Sequence, residues 1–252
     1  MTMPSPFIHQ AFNGIIWRME IDSLSNTLFL EIRNTEDKQV SFASINLTDG
    51  KINFTQLTQP ERWLIGIETA YDGILLLHQY QAATSPVHKG VIAVDGTNGT
   101  TLWSNYTYAF DSLAQLGPVL YNVQIQPKKL FITDIKTGET LRQFEPLKDA
   151  VPYNHIKATD IFPSTSLPPQ LKVEPYGNII HSLYYNNFRI VSLHTVNAGI
   201  LKQHLYILND MGIFYEDILN DGIQKMQPES FILYKNCLVY IKNKSEIKVI
   251  NL

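Results

Sequence analysis

Lys89-Gly-Val-Ile-Ala-Val-Asp-Gly-Thr-Asn-Gly-Thr-Thr-Leu-Trp103 decides how this chain is read, because two other stretches align with it without a gap. They are Val40-Ser-Phe-Ala-Ser-Ile-Asn-Leu-Thr-Asp-Gly-Lys-Ile-Asn-Phe54 and Lys128-Lys-Leu-Phe-Ile-Thr-Asp-Ile-Lys-Thr-Gly-Glu-Thr-Leu-Arg142. Each has an alternating strand, a polar residue four positions before a glycine, a tight turn and a second strand. The polar residues are Asn46, Asp95 and Asp134, and the glycines are Gly50, Gly99 and Gly138. This is a β-hairpin signature used repeatedly, and a unit that recurs cannot bury its apolar face alone.

Working outward, short apolar runs bounded by Gly, Asn, Asp and Pro continue along the chain, with no long stretch at helical spacing. Upstream hairpins around Trp63–Leu77, Ile179–Val191 and Ser230–Tyr240 complete units of two hairpins each. The spacing predicts an all-β fold: a small β-propeller of four-stranded antiparallel blades, radial repetition leaving few sheet edges exposed. Gly14, Gly50, Gly99, Gly138 and Gly212 are separated by 36, 49, 39 and 74 residues, which counts five blades. Within the long gap, 145–177 holds six of the 13 prolines. It reads as a Pro-rich insertion in a single domain spanning 1–252, a degenerate sixth blade being the alternative. The last three strands, ending at Leu252, lack a fourth, and the chain opens with an unpartnered apolar segment. Pairing of the two termini is therefore expected to close the ring.

Composition excludes several function classes. A net charge of −3 and 17% charged residues create no field that would gather nucleic acid or anionic lipid. No window is long and apolar enough for a membrane span, and Met1 to Glu20 reads as no export signal, so the expected location is cytoplasmic. Cys237, the single cysteine, forms no intramolecular disulfide and reads as a buried strand thiol. The sequons at Asn46, Asn53, Asn98, Asn105 and Asn243 then reflect turn-rich composition.

Gly90-Val-Ile-Ala-Val-Asp-Gly-Thr-Asn-Gly-Thr-Thr-Leu-Trp103 resembles the quinoprotein-type (PQQ-like) propeller repeat, which runs from an apolar strand through a Thr/Asn-Gly turn to a Trp four residues later. Overall length is also similar to an uncharacterised bacterial family of propeller-like domains of unknown function. The resemblance implies the fold. It implies no cofactor, because the vicinal cysteines of quinoprotein dehydrogenases are missing here.

Of the histidines, His78, His181, His194 and His204 fall in apolar strands and read as neutral imidazoles hydrogen-bonded in sheets. No His-x-His or His-x-x-x-His pair occurs, so a metal site would have to draw on different blades, and no metal or catalytic set is assigned. Asn46, Gly50, Asp95, Gly99, Trp103, Asp134 and Gly138 are repeat positions with structural duties. Tyr106, Tyr108, Tyr153, His155, Phe162 and Tyr176 form a candidate interaction surface, since aromatics are enriched at interfaces. The favoured reading is a non-enzymatic scaffold binding a protein or peptide on one face, without a cofactor. The second is an enzyme or small-ligand or metal-binding protein with a site at the channel mouth, built from strand histidines and carboxylates such as Asp72, Asp160 or Glu174.

Overall fold

In the computed structural model, which describes residues 5–228 and 230–252, antiparallel strands build five separate sheets. The first residues of the stretch read for an export signal, 1–4, lie outside the described residues. No helix is long and apolar enough to cross a membrane among the described residues. A single domain is the sequence expectation; the strands group into two compact units, 13–154 and a second made of the segment ending at Phe12 with His155–Leu252.

After the N-terminal strand β1 (Ile8–Ala11), which belongs to the second unit, residues 13–154 hold three consecutive four-stranded meanders. The first is β2 (Ile15–Asp22), β3 (Thr27–Asn34), β4 (Gln39–Asn46) and β5 (Ile52–Leu57). The next is β6 (Ile65–Tyr71), β7 (Ile74–Ala82), β8 (Ser85–Asp95) and β9 (Thr101–Asn105). The third is β10 (Tyr108–Ala114), β11 (Gly117–Asn122), β12 (Phe131–Thr133) and β13 (Thr140–Gln143). The middle strands are apolar at consecutive positions because both faces are covered. Leu75 and Leu77 pack with Phe29, Phe42 and Ile67 toward the first sheet, while Ile74 and Leu76 pack with Val91, Leu120 and Ile135 toward the third. Each such fully buried side chain contributes about 1.5–3 kcal/mol.

The repeated turn has one geometry in all three copies. The carbonyl of Asn46, Asp95 or Asp134 accepts from the N–H of Gly50, Gly99 or Gly138, at 2.9, 2.8 and 2.9 Å. The side-chain oxygen accepts from the N–H two residues on: Thr48, Thr97 or Lys136. The glycines sit at φ of 74°, 78° and 76°, where a side chain would be strained.

In the other unit, β14 (Ile156–Lys157) and β15 (Asp160–Pro163) come from the Pro-rich segment and add a fifth strand to each of two sheets. One sheet runs β15, β16 (Ile179–Tyr185), β17 (Phe188–Asn197), β18 (Ile200–Asn209), β19 (Gly212–Ile223). The other contains β20 (Ile232–Tyr234), β21 (Cys237–Lys242) and β22 (Glu246–Asn251) in the order β14-β20-β21-β22-β1, with β1 aligned antiparallel to β22 from Ile8↔Val249 to Ala11↔Glu246. The termini therefore share a sheet. Units of four strands are the sequence expectation, and two of the five sheets depart from it because the Pro-rich segment is not a plain insertion. No sixth sheet is present among the described residues. Past the edge strands, Leu167, Leu171 and Val173 join Phe162 over Ile180, Val191, Leu193 and Leu208, so the segment covers an apolar face.

Candidate functional site

The first strand of each sheet in residues 13–154 carries a one-residue bulge. Trp17, Glu68 and Asp111 are the extra residues, opposite the uninterrupted partner pairs Ile32/Glu31, Leu77/Leu76 and Leu120/Val119. A bulge breaks the alternation of side chains and re-aims one of them. Asp111 is paired with Lys128, and Trp17 lies against the guanidinium of Arg33, which also lies over the Trp63 ring. Glu68 instead meets two histidines.

Oε2 of Glu68 lies 3.0 Å from Nδ1 of His78 and 2.9 Å from Nδ1 of His88. The two imidazoles are stacked, with centroids 3.5 Å apart and planes within 5°, and the Tyr80 ring stands perpendicular to both at 4.8 and 5.1 Å. One ligand atom from each of the three residues falls within 4.8 Å of the others. A second bulge places His78: between the pairs Leu77↔Ile92 and Gln79↔Lys89 it stands alone against Gly90 and Val91, with Gly90 at φ 71°. Gly66, paired with His78, leaves room for the group, since a Cβ there would stand 3.2 Å from the His78 ring and 2.9 Å from Oε2 of Glu31.

The cluster is sheltered. His78 is 2% exposed, the Glu68 side chain 10% and that of His88 33%. His88 is properly hydrogen-bonded to the carboxylate. His78 is not: its Nδ1 is near Glu68 but misaligned for a hydrogen bond, and both its ring nitrogens are buried without a hydrogen-bond partner. A buried polar nitrogen of this kind costs about 1–3 kcal/mol if nothing satisfies it. Burial works against the charge of Glu68, but the facing His78 and His88 outweigh it and hold its pKa below the ordinary carboxylate value. Around the trio, Arg18 donates to the Glu68 carbonyl at 2.9 Å, and Glu31 accepts from the Ile67 N–H at 2.8 Å and from Arg33 at 2.6 Å.

Two imidazoles and a carboxylate suit a divalent transition metal, with bonds of about 2.0–2.2 Å that set tetrahedral ligand atoms about 3.3 Å apart. The Glu68-to-histidine spacings are close to that. The sequence expectation is that a metal site would draw on different blades; these three residues come from one sheet, on β6, β7 and β8. Neither Glu68 nor His88 is singled out by the sequence reading. The signal available was the glycine pair Gly66 and Gly90 flanking them in a hairpin.

The six aromatic and histidine positions of the candidate interaction surface are divided between the two units. Tyr106 and Tyr153 are exposed in residues 13–154, while Tyr108 packs on the Ile74–Leu76 core. In the other unit His155 and Tyr176 are exposed, and Phe162 packs on the Leu171 cluster. Asp72 pairs with Lys136 at 2.7 Å, and Asp160 and Glu174 are exposed. Burial lowers the pKa of His181, His194 and His204, that of His194 to about 4, with His181 and His204 adding to the effect on His194. Trp103 donates its indole N–H to the Ile135 carbonyl. Burial raises the pKa of Cys237.

A family model described as a domain of unknown function (DUF4905) matches residues 21–103, a stretch that includes Glu68, His78 and His88. No curated protein matches the chain. Among solved structures, an uncharacterized protein of Listeria monocytogenes EGD-e (lmo1340) is similar at 11% identity and a TM-score of 0.37, over 96% of this chain and 97% of that one. An exo-β-1,3-galactanase from Phanerochaete chrysosporium is similar at 9% identity and a TM-score of 0.30, over 97% of this chain and 64% of that one. Likenesses this distant carry neither fold nor activity over to this protein.

Proposed function

We propose that this protein is a five-bladed β-propeller that binds a divalent transition-metal ion through Glu68, His78 and His88. The observation that carries the reading is a single carboxylate oxygen within 3.0 Å of two imidazole Nδ1 atoms, one on a buried ring with no hydrogen bond. Bulge equivalence adds support, because Trp17 and Asp111 are accounted for by Arg33 and Lys128 and only the Glu68 position carries a ligand set. The propeller part rests on the repeated turn, the meander order of the sheets and the sharing of one sheet by both termini.

Three protein ligands leave a coordination position for water or an exogenous ligand. Imidazole favours Zn2+, Cu2+, Ni2+ or Co2+ over Mg2+ and Ca2+. Ligation through both Nδ1 atoms requires the stacked ring planes to open. Equilibrium dialysis against Zn2+ followed by elemental analysis tests the reading: one ion per chain is expected, with Glu68→Gln and His78→Gln each weakening binding by more than about a hundredfold. Retention of no ion by the folded wild-type chain would overturn it. A docking role for a protein or peptide partner has the exposed Tyr106 and Tyr153 of one unit in its favour; unchanged partner capture by a double alanine variant would exclude it.

A further inference from the structure

We infer that the hairpin end formed by residues 79–89 is a ribbon ordered by the metal, so that occupancy of the Glu68–His78–His88 site controls its opening; this rests on the metal-binding reading above. The ribbon is where β7 and β8 run on past the bulge at Gly90, and it contains no buried residue. Its ladder is sparse. The pairs are Gln79↔Lys89, Tyr80↔His88 and Ala82↔Ser85, with a register shift between Tyr80 and Ala82, and Pro86 has no N–H to donate.

Its attachments to the sheet are concentrated at one place. His88 bonds to Glu68 at 2.9 Å and stacks on His78, the Tyr80 ring packs perpendicular to both histidines, and the Tyr80 N–H reaches the Leu64 carbonyl at 2.8 Å. A segment with few buried apolar contacts and many exposed backbone groups opens locally at small free-energy cost. The two kinds of ligand are thus unequal. Glu68 and His78 are fixed by bulges in the buried body of the sheet, whereas His88 is carried by the ribbon and is the ligand free to turn out of the stack. An ion held by all three binds the closed ribbon and not the open one, and stabilises the closed form in proportion to its saturation.

Hydrogen–deuterium exchange of the full chain, in EDTA and then in Zn2+ at about 100 times its dissociation constant, reads this directly. Amides of residues 79–89 are expected to exchange up to about a hundredfold more slowly with Zn2+. Those of the turn Asn46–Gly50 should not change. In His88→Ala, which alters a half-exposed ribbon residue, Zn2+ should leave ribbon exchange within about twofold of the EDTA rate. Trypsin cleavage after Lys89 gives a second readout and should slow in the same way. One bound ion per chain with unchanged ribbon exchange would overturn the ribbon inference and leave the metal site standing. No bound ion would overturn both.

Discussion

The indole of Trp103 lies against Gly138 of the neighbouring sheet: a Cβ on that glycine would stand 2.7 Å from Cδ2, while Nε1 donates to the Ile135 carbonyl at 2.8 Å. One sheet earlier Phe54 and Leu57 meet Gly99 in the same manner, at 3.5 and 3.2 Å. Gly99 and Gly138 therefore each serve their own hairpin through a left-handed φ and receive side chains of the preceding sheet. Gly138→Ala should lower stability by about 2–3 kcal/mol in urea unfolding, the sum of backbone strain and the clash. The same change in a Trp103→Leu background should cost about half as much; equal costs in both would refute the shared role.

At the proposed metal site the glycine facing His78 makes a separate prediction. Gly66→Ala places a methyl 2.9 Å from the Glu31 carboxylate and 3.2 Å from the His78 ring. Zn2+ affinity should fall about tenfold or more while circular dichroism stays that of a β protein. Calorimetric titration checks it.

Acid sensitivity should come from His194. Its folded pKa of about 4 lies below the ordinary histidine value of about 6.5, so the unfolded chain binds the extra proton between those pH values. Stability is then fully present above about pH 6.5 and falls as pH drops toward 4, by about 2 kcal/mol. Urea midpoints measured from pH 7 to 4 should show the slope, and His194→Gln should flatten it.

Asp217 holds together β19 and the β21–β22 hairpin. Its carboxylate accepts from Lys242 at 2.6 Å, Lys248 at 2.8 Å and Tyr240 at 2.9 Å, and Tyr240 is in turn 2.8 Å from the Tyr215 hydroxyl. Asp217→Ala leaves the nearly buried Lys248 without its counter-charge and should cost about 3–5 kcal/mol in thermal or urea unfolding. A double change to Asp217→Leu and Lys248→Met should cost less than Asp217→Ala alone.

The hairpin turns were legible from sequence because their chemistry is local: Asp95 and Gly99 are four residues apart and settle the turn between themselves. The edge strands β14 and β15 were not legible. Each is two to four residues long in a Pro-rich stretch, and their partners Tyr234 and Ser182 lie 78 and 22 residues away from Ile156 and Asp160. The Glu68–His78–His88 trio was hidden for a different reason. Bulges at Glu68 and Gly90 shift the alternation by one residue, so a periodic reading places Glu68 and His78 in separate roles. Their meeting depends on register, which His78 and His88, ten positions apart across a hairpin, do not declare by spacing.

The pairing of β1 with β22 sets an order on biosynthesis. The meanders in residues 13–154 connect neighbours in sequence and can assemble while the chain is still being made. Ile8–Ala11 is translated before Glu246–Asn251 and has no strand to pair with until that later segment has left the ribosome. Until then Ile8–Ala11 is an unsatisfied β edge, open to pairing with the wrong partner.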